Sequence, residues 1–273
     1  MWTLSGFADE IGPDVRTQCG VLAELGIRYL ELRSAWGTNV VDLDDEQLAE
    51  VGRILGEHGI GVSSIGSPIG KIRITDDFDE HLARADRALR AARFFDAPYV
   101  RIFSFFCGEQ PHRHRDEVLR RMSTLAGRAE RAGVVLLHEN EKEIYGDIPA
   151  RVLDVVESVG SPNLRLAWDA ANYVQVGVRP CTEGYAQLRP HTEYVQIKDA
   201  LLDSGEVVPA GEGDGEVRET VRRLRADGFD GFFSLEPHLG ETTAFGAHSG
   251  PEQFSRATKA FTALLDEEGI SYR

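Results

Sequence analysis

Eight times in succession the chain passes from a short apolar run to a stretch whose apolar residues recur three and four positions apart, and that alternation leaves few folds open. The strand-like runs are residues 2–7, 29–32, 62–65, 99–106, 134–139, 164–169, 194–199 and 231–236. Between them lie helical stripes such as Leu48, Val51 and Leu55, opened by an Asp44/Gln47 capping box, and Val118, Met122, Leu125 and Ala129. After the sixth run the pattern is less regular, with only Tyr185 and Leu188 marking a short helix, and a last helix begins near Pro251. No linker rich in Pro, Gly or Ser interrupts the series, so the expected architecture is α/β, a single (β/α)8 TIM barrel in one domain over residues 1–273. A doubly wound open sheet fits less well. No Gly-x-Gly-x-x-Gly follows the first strand, and the glycine-rich loop Gly211–Gly215 comes late and contains Glu212 and Asp214.

Composition removes several classes of function. A formal net charge of −15 opposes binding to nucleic acid, and the basic group His112-Arg113-His114-Arg115, followed at once by Asp116 and Glu117, reads as a solvated helix face. No apolar stretch approaches the roughly 20 residues of a membrane span, and the N-terminus lacks the basic start and apolar core of a signal peptide, so a cytoplasmic protein without membrane contact is expected. Cys19, Cys107 and Cys181 are scattered and odd in number, which suits reduced thiols.

The last four strands share a second feature: each ends in a hard oxygen donor, at Glu139, Asp169, Gln196 and Glu236. In a barrel, residues at the C-terminal strand ends surround one mouth. Strand alternation turns Glu139 inward with Leu137, Asp169 with Ala167, Gln196 with Lys198 and Glu236 with Ser234. The same parity sends His138 and Asp199 outward, one as support and the other to orient a neighbour. A single acidic strand end reads equally well as a cap or a surface ion pair; four consecutive strands ending alike do not. Clustered carboxylates repel unless a cation or protons neutralise them, so one divalent metal ion is expected there. The oxygen-rich set suits Mn²⁺ or Mg²⁺ best, with Co²⁺ and Zn²⁺ also accommodated.

Phe7-Ala8-Asp9-Glu10, Leu136 to Asn140, Trp168 to Asn172, Val195-Gln196-Ile197-Lys198-Asp199 and Ser234 to His238 together resemble the xylose isomerase-like TIM-barrel superfamily. Within it the sugar phosphate isomerase/epimerase group is most similar, over nearly the whole chain. The resemblance implies a metal held by Glu139, Asp169, Gln196 and Glu236. It further implies a sugar isomerase or epimerase that moves a proton next to a carbonyl through an enediolate, with Glu139 and Glu236 as the proton-transfer groups. Ketose epimerases of the group usually have histidine where Gln196 stands, within a His-x-Lys-Asp run, and another where Asn172 stands. Arg33, Lys71, Asn172, Lys198 and His238 are the candidate substrate contacts.

The implied partner is a small carbohydrate or keto-polyol, and the group's habits suggest a homo-oligomer. A metal-dependent dehydratase of a keto-polyol such as an inosose is the alternative, sharing the same proton abstraction; a non-catalytic sugar-binding protein is the third. A DNA-repair endonuclease of the same fold needs a histidine-rich metal cluster, and the second, third and fourth strands here end without histidine.

Overall fold

In the computed structural model, which describes residues 1–243 and 246–273, eight parallel strands stand side by side. They are β1 (Thr3–Gly6), β2 (Tyr29–Leu32), β3 (Gly61–Gly66) and β4 (Tyr99–Ile102), then β5 (Val135–Glu139), β6 (Leu164–Asp169), β7 (Thr192–Ile197) and β8 (Phe232–Leu235). Each is hydrogen-bonded to its sequence neighbour from β2 to β8, and β8 pairs in turn with β1. With β2 packed beside β1, the sheet forms a nearly closed barrel. The register sets Asp169 opposite Gln196 and Gln196 opposite Ser234, so the anticipated donors of β6 and β7 stand in one row.

Helices surround the sheet for the reasons the sequence offered. After α1 (Val15–Glu24), in α2 (Asp45–His58) the Asp44 side chain and Gln47 form the reciprocal capping box, and Gly59 ends the helix at φ 63°. In α4 (Arg115–Ala132) the inward stripe Val118, Met122, Leu125 and Ala129 is buried against the strands. After β6, where periodicity fades, three short helices replace one long one: Ala170–Val174, Pro180–Glu183 and Tyr185–Leu188. Helix Val217–Ala226 follows β7 and Gly250–Glu267 follows β8. Among the described residues no helix is long and apolar enough to cross a membrane.

Inside, the barrel divides into two layers. Tyr29, Tyr99, Tyr194 and Phe232 form an aromatic floor, with ring centroids 5.9 Å apart for Tyr99–Tyr194 and for Tyr194–Phe232, and the Tyr194 hydroxyl meets Ser63 Oγ at 2.9 Å. Above the floor the inward residues become charged.

Two strands end two or more residues earlier than anticipated. β4 stops at Ile102 because Phe103, Phe105 and Phe106 turn aside, their N–H groups donating to the carbonyls of Ile69, Gly70 and Ile72. Phe105 makes this turn with φ 69°. β7 stops at Ile197, and Asp199–Ala200 pairs instead with Val207–Val208.

That second departure explains the glycine-rich loop. The Asp199 carboxylate accepts hydrogen bonds from the N–H groups of Ala200 (2.8 Å), Gly211 (3.0 Å), Gly213 (3.1 Å) and Gly215 (2.7 Å). A Cβ at Gly213 would lie 2.6 Å from Asp199 Oδ1 and from the Ala200 carbonyl oxygen, and one at Gly215 would lie 2.5 Å from Asp199 Oδ1. The loop is thus a nest for an anion, but the anion is the chain's own Asp199, which fixes the backbone beside Lys198. Asp199→Ala would strand these N–H groups and should lower stability by roughly 3 kcal/mol or more. Urea unfolding is the measurement; a loss below about 1 kcal/mol, the net worth of one ordinary hydrogen bond, would show that the nest is incidental.

Candidate active site

Above the aromatic floor, Glu139, Asp169 and Glu236 each place a carboxylate oxygen within 4.8 Å of the others, and all are buried. Their positions follow from strand ends: Glu139 closes β5, Asp169 closes β6, and Glu236 follows β8. Basic groups of the chain lie between them. Lys198 Nζ is 2.6 Å from Glu236 Oε2 and 3.0 Å from Asp169 Oδ2. Arg33 donates through Nη1 to Glu236 Oε1 (2.9 Å) and through Nε to Asp9 Oδ2 (2.8 Å). Arg101 donates through Nη1 to Glu139 Oε2 (3.0 Å).

Amides complete the frame. Asn172 Nδ2 donates to Glu139 Oε1 (3.0 Å) and to the Asn140 carbonyl (2.8 Å). Asn140 in turn exchanges two hydrogen bonds with the Asp169 backbone, donating to its carbonyl at 2.9 Å and accepting from its N–H at 3.0 Å. Asp169 Oδ1 accepts the Asn172 N–H (2.9 Å), the N-cap bond of helix Ala170–Val174. Glu139 is therefore aimed by Asn172 on one oxygen and by Arg101 on the other.

Burial and charge pull the carboxylates apart in acidity. For Glu236 burial alone would favour the protonated form, but Lys198, His238 and Arg33 outweigh it and hold the group well below the usual carboxylate range. Burial raises Glu139 despite Arg101, and raises Asp169 to about 7 despite Lys198. Lys198 shows the converse: burial opposes its charge, yet Asp169, Glu236 and Glu139 keep it firmly protonated. His138 has no charged neighbour to offset its burial, which pulls it down to about 3, so it is a neutral packing residue.

Arg33, Lys71, Glu139, Lys198, Glu236 and His238 all line one cavity of about 260 Å³. Lys71 sits at its rim, 3.1 Å from Glu141 and over the Phe103 ring. Asn172 does not line the cavity, because its amide is committed to Glu139 and Asn140. Gln196 is buried, and among the described residues neither its Oε1 nor its Nε2 has a hydrogen-bond partner. A larger groove of about 770 Å³ lies outside the barrel, where α3 (Phe78–Phe94) meets α4; it is lined by Arg90, Arg93, Arg128 and Arg131 and contains none of these groups.

The donor set fits a hard divalent cation. The three carboxylate oxygens converge, and the orphaned amide of Gln196 stands beside Asp169 in register.

Three charged residues escaped the reading of strand ends. Arg101 and Glu31 lie inside the runs Tyr99-Val100-Arg101-Ile102 and Tyr29-Leu30-Glu31-Leu32; alternation from the floor residues Tyr99 and Tyr29 turns both inward, a signal the sequence does contain. Glu10, fully buried after β1, gave no comparable signal. Burial lifts Glu31 from 4.5 to about 7, with Arg101 opposing the rise. An unfolded glutamate releases its proton near the lower value, so between the two the folded chain holds a proton that the unfolded chain has lost. Stability then falls as pH rises through that window. Glu31→Gln should gain on the wild type by up to roughly 3 kcal/mol between about pH 5 and about pH 8 in urea unfolding, and an equal gap at both pH values would refute the assignment.

Comparison with known proteins places this geometry in context. Residues 19–264 match the family described as Xylose isomerase-like TIM barrel. The chain is 39% identical over 98 residues to 2-epi-5-epi-valiolone 7-phosphate 2-epimerase from Actinoplanes sp., a match covering 36% of this chain and about a third (34%) of that relative. Among solved structures, the probable 3-DHS dehydratase AsbF of Bacillus anthracis superposes with a TM-score of 0.75 at 19% identity, covering 96% of this chain and 98% of the other. A xylose isomerase-like TIM barrel protein from Mycobacterium smegmatis, solved in complex with magnesium, gives 0.67 at 20% identity over 97% of both chains. The barrel, its strand order and the matched span agree: this chain belongs to the xylose isomerase-like TIM barrel family.

Proposed function

We propose that residues 1–273 form one barrel domain and that it is a divalent-metal-dependent sugar isomerase or epimerase, moving a proton on the carbon next to a carbonyl. The observation that carries this reading is the pair Glu139 and Glu236, two buried carboxylates that line one cavity together with Lys198. Glu236, kept ionised by Lys198, His238 and Arg33, suits the proton-accepting role. Glu139, held by Asn172 on one oxygen and Arg101 on the other, suits the partner role of returning the proton. Lys198 directs a permanently charged donor into the cavity, where it would steady the negative charge that develops on the substrate oxygen.

Glu139, Asp169, Gln196 and Glu236 would hold the metal, with Mn²⁺ or Mg²⁺ suiting their hard oxygens. When bound, the ion supplies Lewis-acid polarisation of the carbonyl and offsets the carboxylate charge. Asn172 and Arg101 hold Glu139 in place, and Asn140 does the same for the Asp169 backbone. At about 260 Å³ the cavity is smaller than the roughly 300–1,000 Å³ of drug-sized sites, which suits a monosaccharide or cyclitol ketone. The similar epimerase from Actinoplanes, named for a cyclitol phosphate, supports that size class.

A keto-polyol dehydratase is the second reading. It needs the same proton abstraction plus a group near the departing hydroxyl, and His238, partly exposed in the cavity 3.3 Å from Glu236, supplies one. Incubating the metal-loaded protein with a panel of ketoses and inososes in D₂O tests both. We expect deuterium beside the carbonyl with a new epimer or isomer, and a loss of about 10³-fold in kcat for Glu139→Gln and for Glu236→Gln. A dehydrated product would favour the second reading, and substrate returned unlabelled without product would refute both.

A further inference from the structure

Glu10 lies in the turn after β1, fully buried, and its side chain is hydrogen-bonded to residues remote in sequence. Its Oε2 accepts hydrogen bonds from the His238 N–H (2.9 Å) and the Ser249 hydroxyl (2.6 Å), and its own carbonyl accepts the Ser249 N–H (2.9 Å). His238 and Ser249 stand at the two ends of the connection from β8 to the last helix, and the Leu239 N–H donates to Ser249 Oγ at 3.1 Å. Between those ends, the strands Glu241–Thr243 and Gly246–His248 pair antiparallel, and Thr242 and Gly246 line the cavity. Gly246 lies close against Arg33: a Cβ there would lie 2.4 Å from Arg33 Nη1.

Glu10 also meets the cavity through the His238 ring. His238 Nε2 is 3.3 Å from Glu10 Oε1 and 3.3 Å from Glu236 Oε1. The His238 backbone has φ 48°, a left-handed conformation that costs a non-glycine residue about 1 kcal/mol and persists where surrounding bonds enforce it. Here the enforcing bond is the one from its N–H to Glu10. Arg33 already supplies positive charge to this trio, with Nη1 2.9 Å from Glu236 and Nη2 3.7 Å from Glu10, so the arrangement is an anchored side chain and not a second cation site.

We infer that Glu10 is a positioning residue: one carboxylate clasps His238 and Ser249, joining the end of β8 to the start of the last helix, and sets the His238 ring against Glu236. The kinetic half of this inference rests on the sugar-carbonyl reading; the structural half does not. Hydrogen–deuterium exchange on the full chain, comparing wild type with Glu10→Gln and Ser249→Ala, reads the clasp directly. Exchange of the amides between His238 and Ser249 should quicken about tenfold in each variant, with β5 to β7 unchanged. With a ketose that the wild type turns over, Glu10→Gln should raise KM about tenfold and leave kcat within about threefold, a split that general loss of structure would not give. Unchanged exchange in both variants, or equal acceleration throughout the barrel, would overturn the clasp, and an unchanged KM would overturn the positioning role. If the wild type turns over no ketose, the sugar reading fails while the exchange comparison still decides on Glu10.

Discussion

The structure depends on a set of charges taken out of water at the barrel mouth. Asp9, Glu10, Glu31, Glu139, Asp169 and Glu236 meet Arg33, Arg101 and Lys198, almost entirely sequestered from solvent. Burying any one of these ions alone would cost several kcal/mol, so each is tolerable only through its partners. Carboxylates outnumber cations. Burial lifts Glu31, Glu139 and Asp169, the neighbouring carboxylates add to the rise, and the mouth is a place where a further positive charge is welcome.

The fold supplies the rigidity that such a cluster needs. The aromatic floor fills the barrel below the charges, and the parallel register aligns Asp169, Gln196 and Ser234. Outside the barrel, the Asp199 nest and the Glu10 clasp tie long connections to single carboxylates. One nest stiffens the chain beside Lys198; the other places His238. In both, an acidic side chain satisfies backbone N–H groups that would otherwise need water in a crowded region.

Much of this was legible in the sequence because strands and helices announce themselves by period, and because four strand ends in a row carried oxygen donors. Glu139, Asp169 and Glu236 converge as that pattern anticipated, and Asp199 faces away from the axis to organise a neighbour. The remainder was hidden by two physical facts. Charges inside a strand, such as Glu31 and Arg101, look like interruptions of an apolar run until the barrel interior is known to be polar at that height. Contacts such as Glu10 with Ser249 join residues far apart in sequence, and no local pattern encodes them. Asn172 shows a subtler limit: its position near the clustered carboxylates was evident, but its amide turns to Glu139 and not to the cavity. Phe103 to Phe106 likewise read as more strand, though their backbone pairs with neighbouring loops.

The central claim is that Gln196 completes a cation site with Glu139, Asp169 and Glu236, and that Lys198 bridges two of those carboxylates when no ion does. Anomalous scattering from crystals soaked in Mn²⁺ tests it most directly. The account predicts one strong peak ligated by those residues, with the Lys198 ammonium withdrawn from Asp169. A peak without Gln196 among its ligands, or no peak and Lys198 still between Asp169 and Glu236, would contradict it.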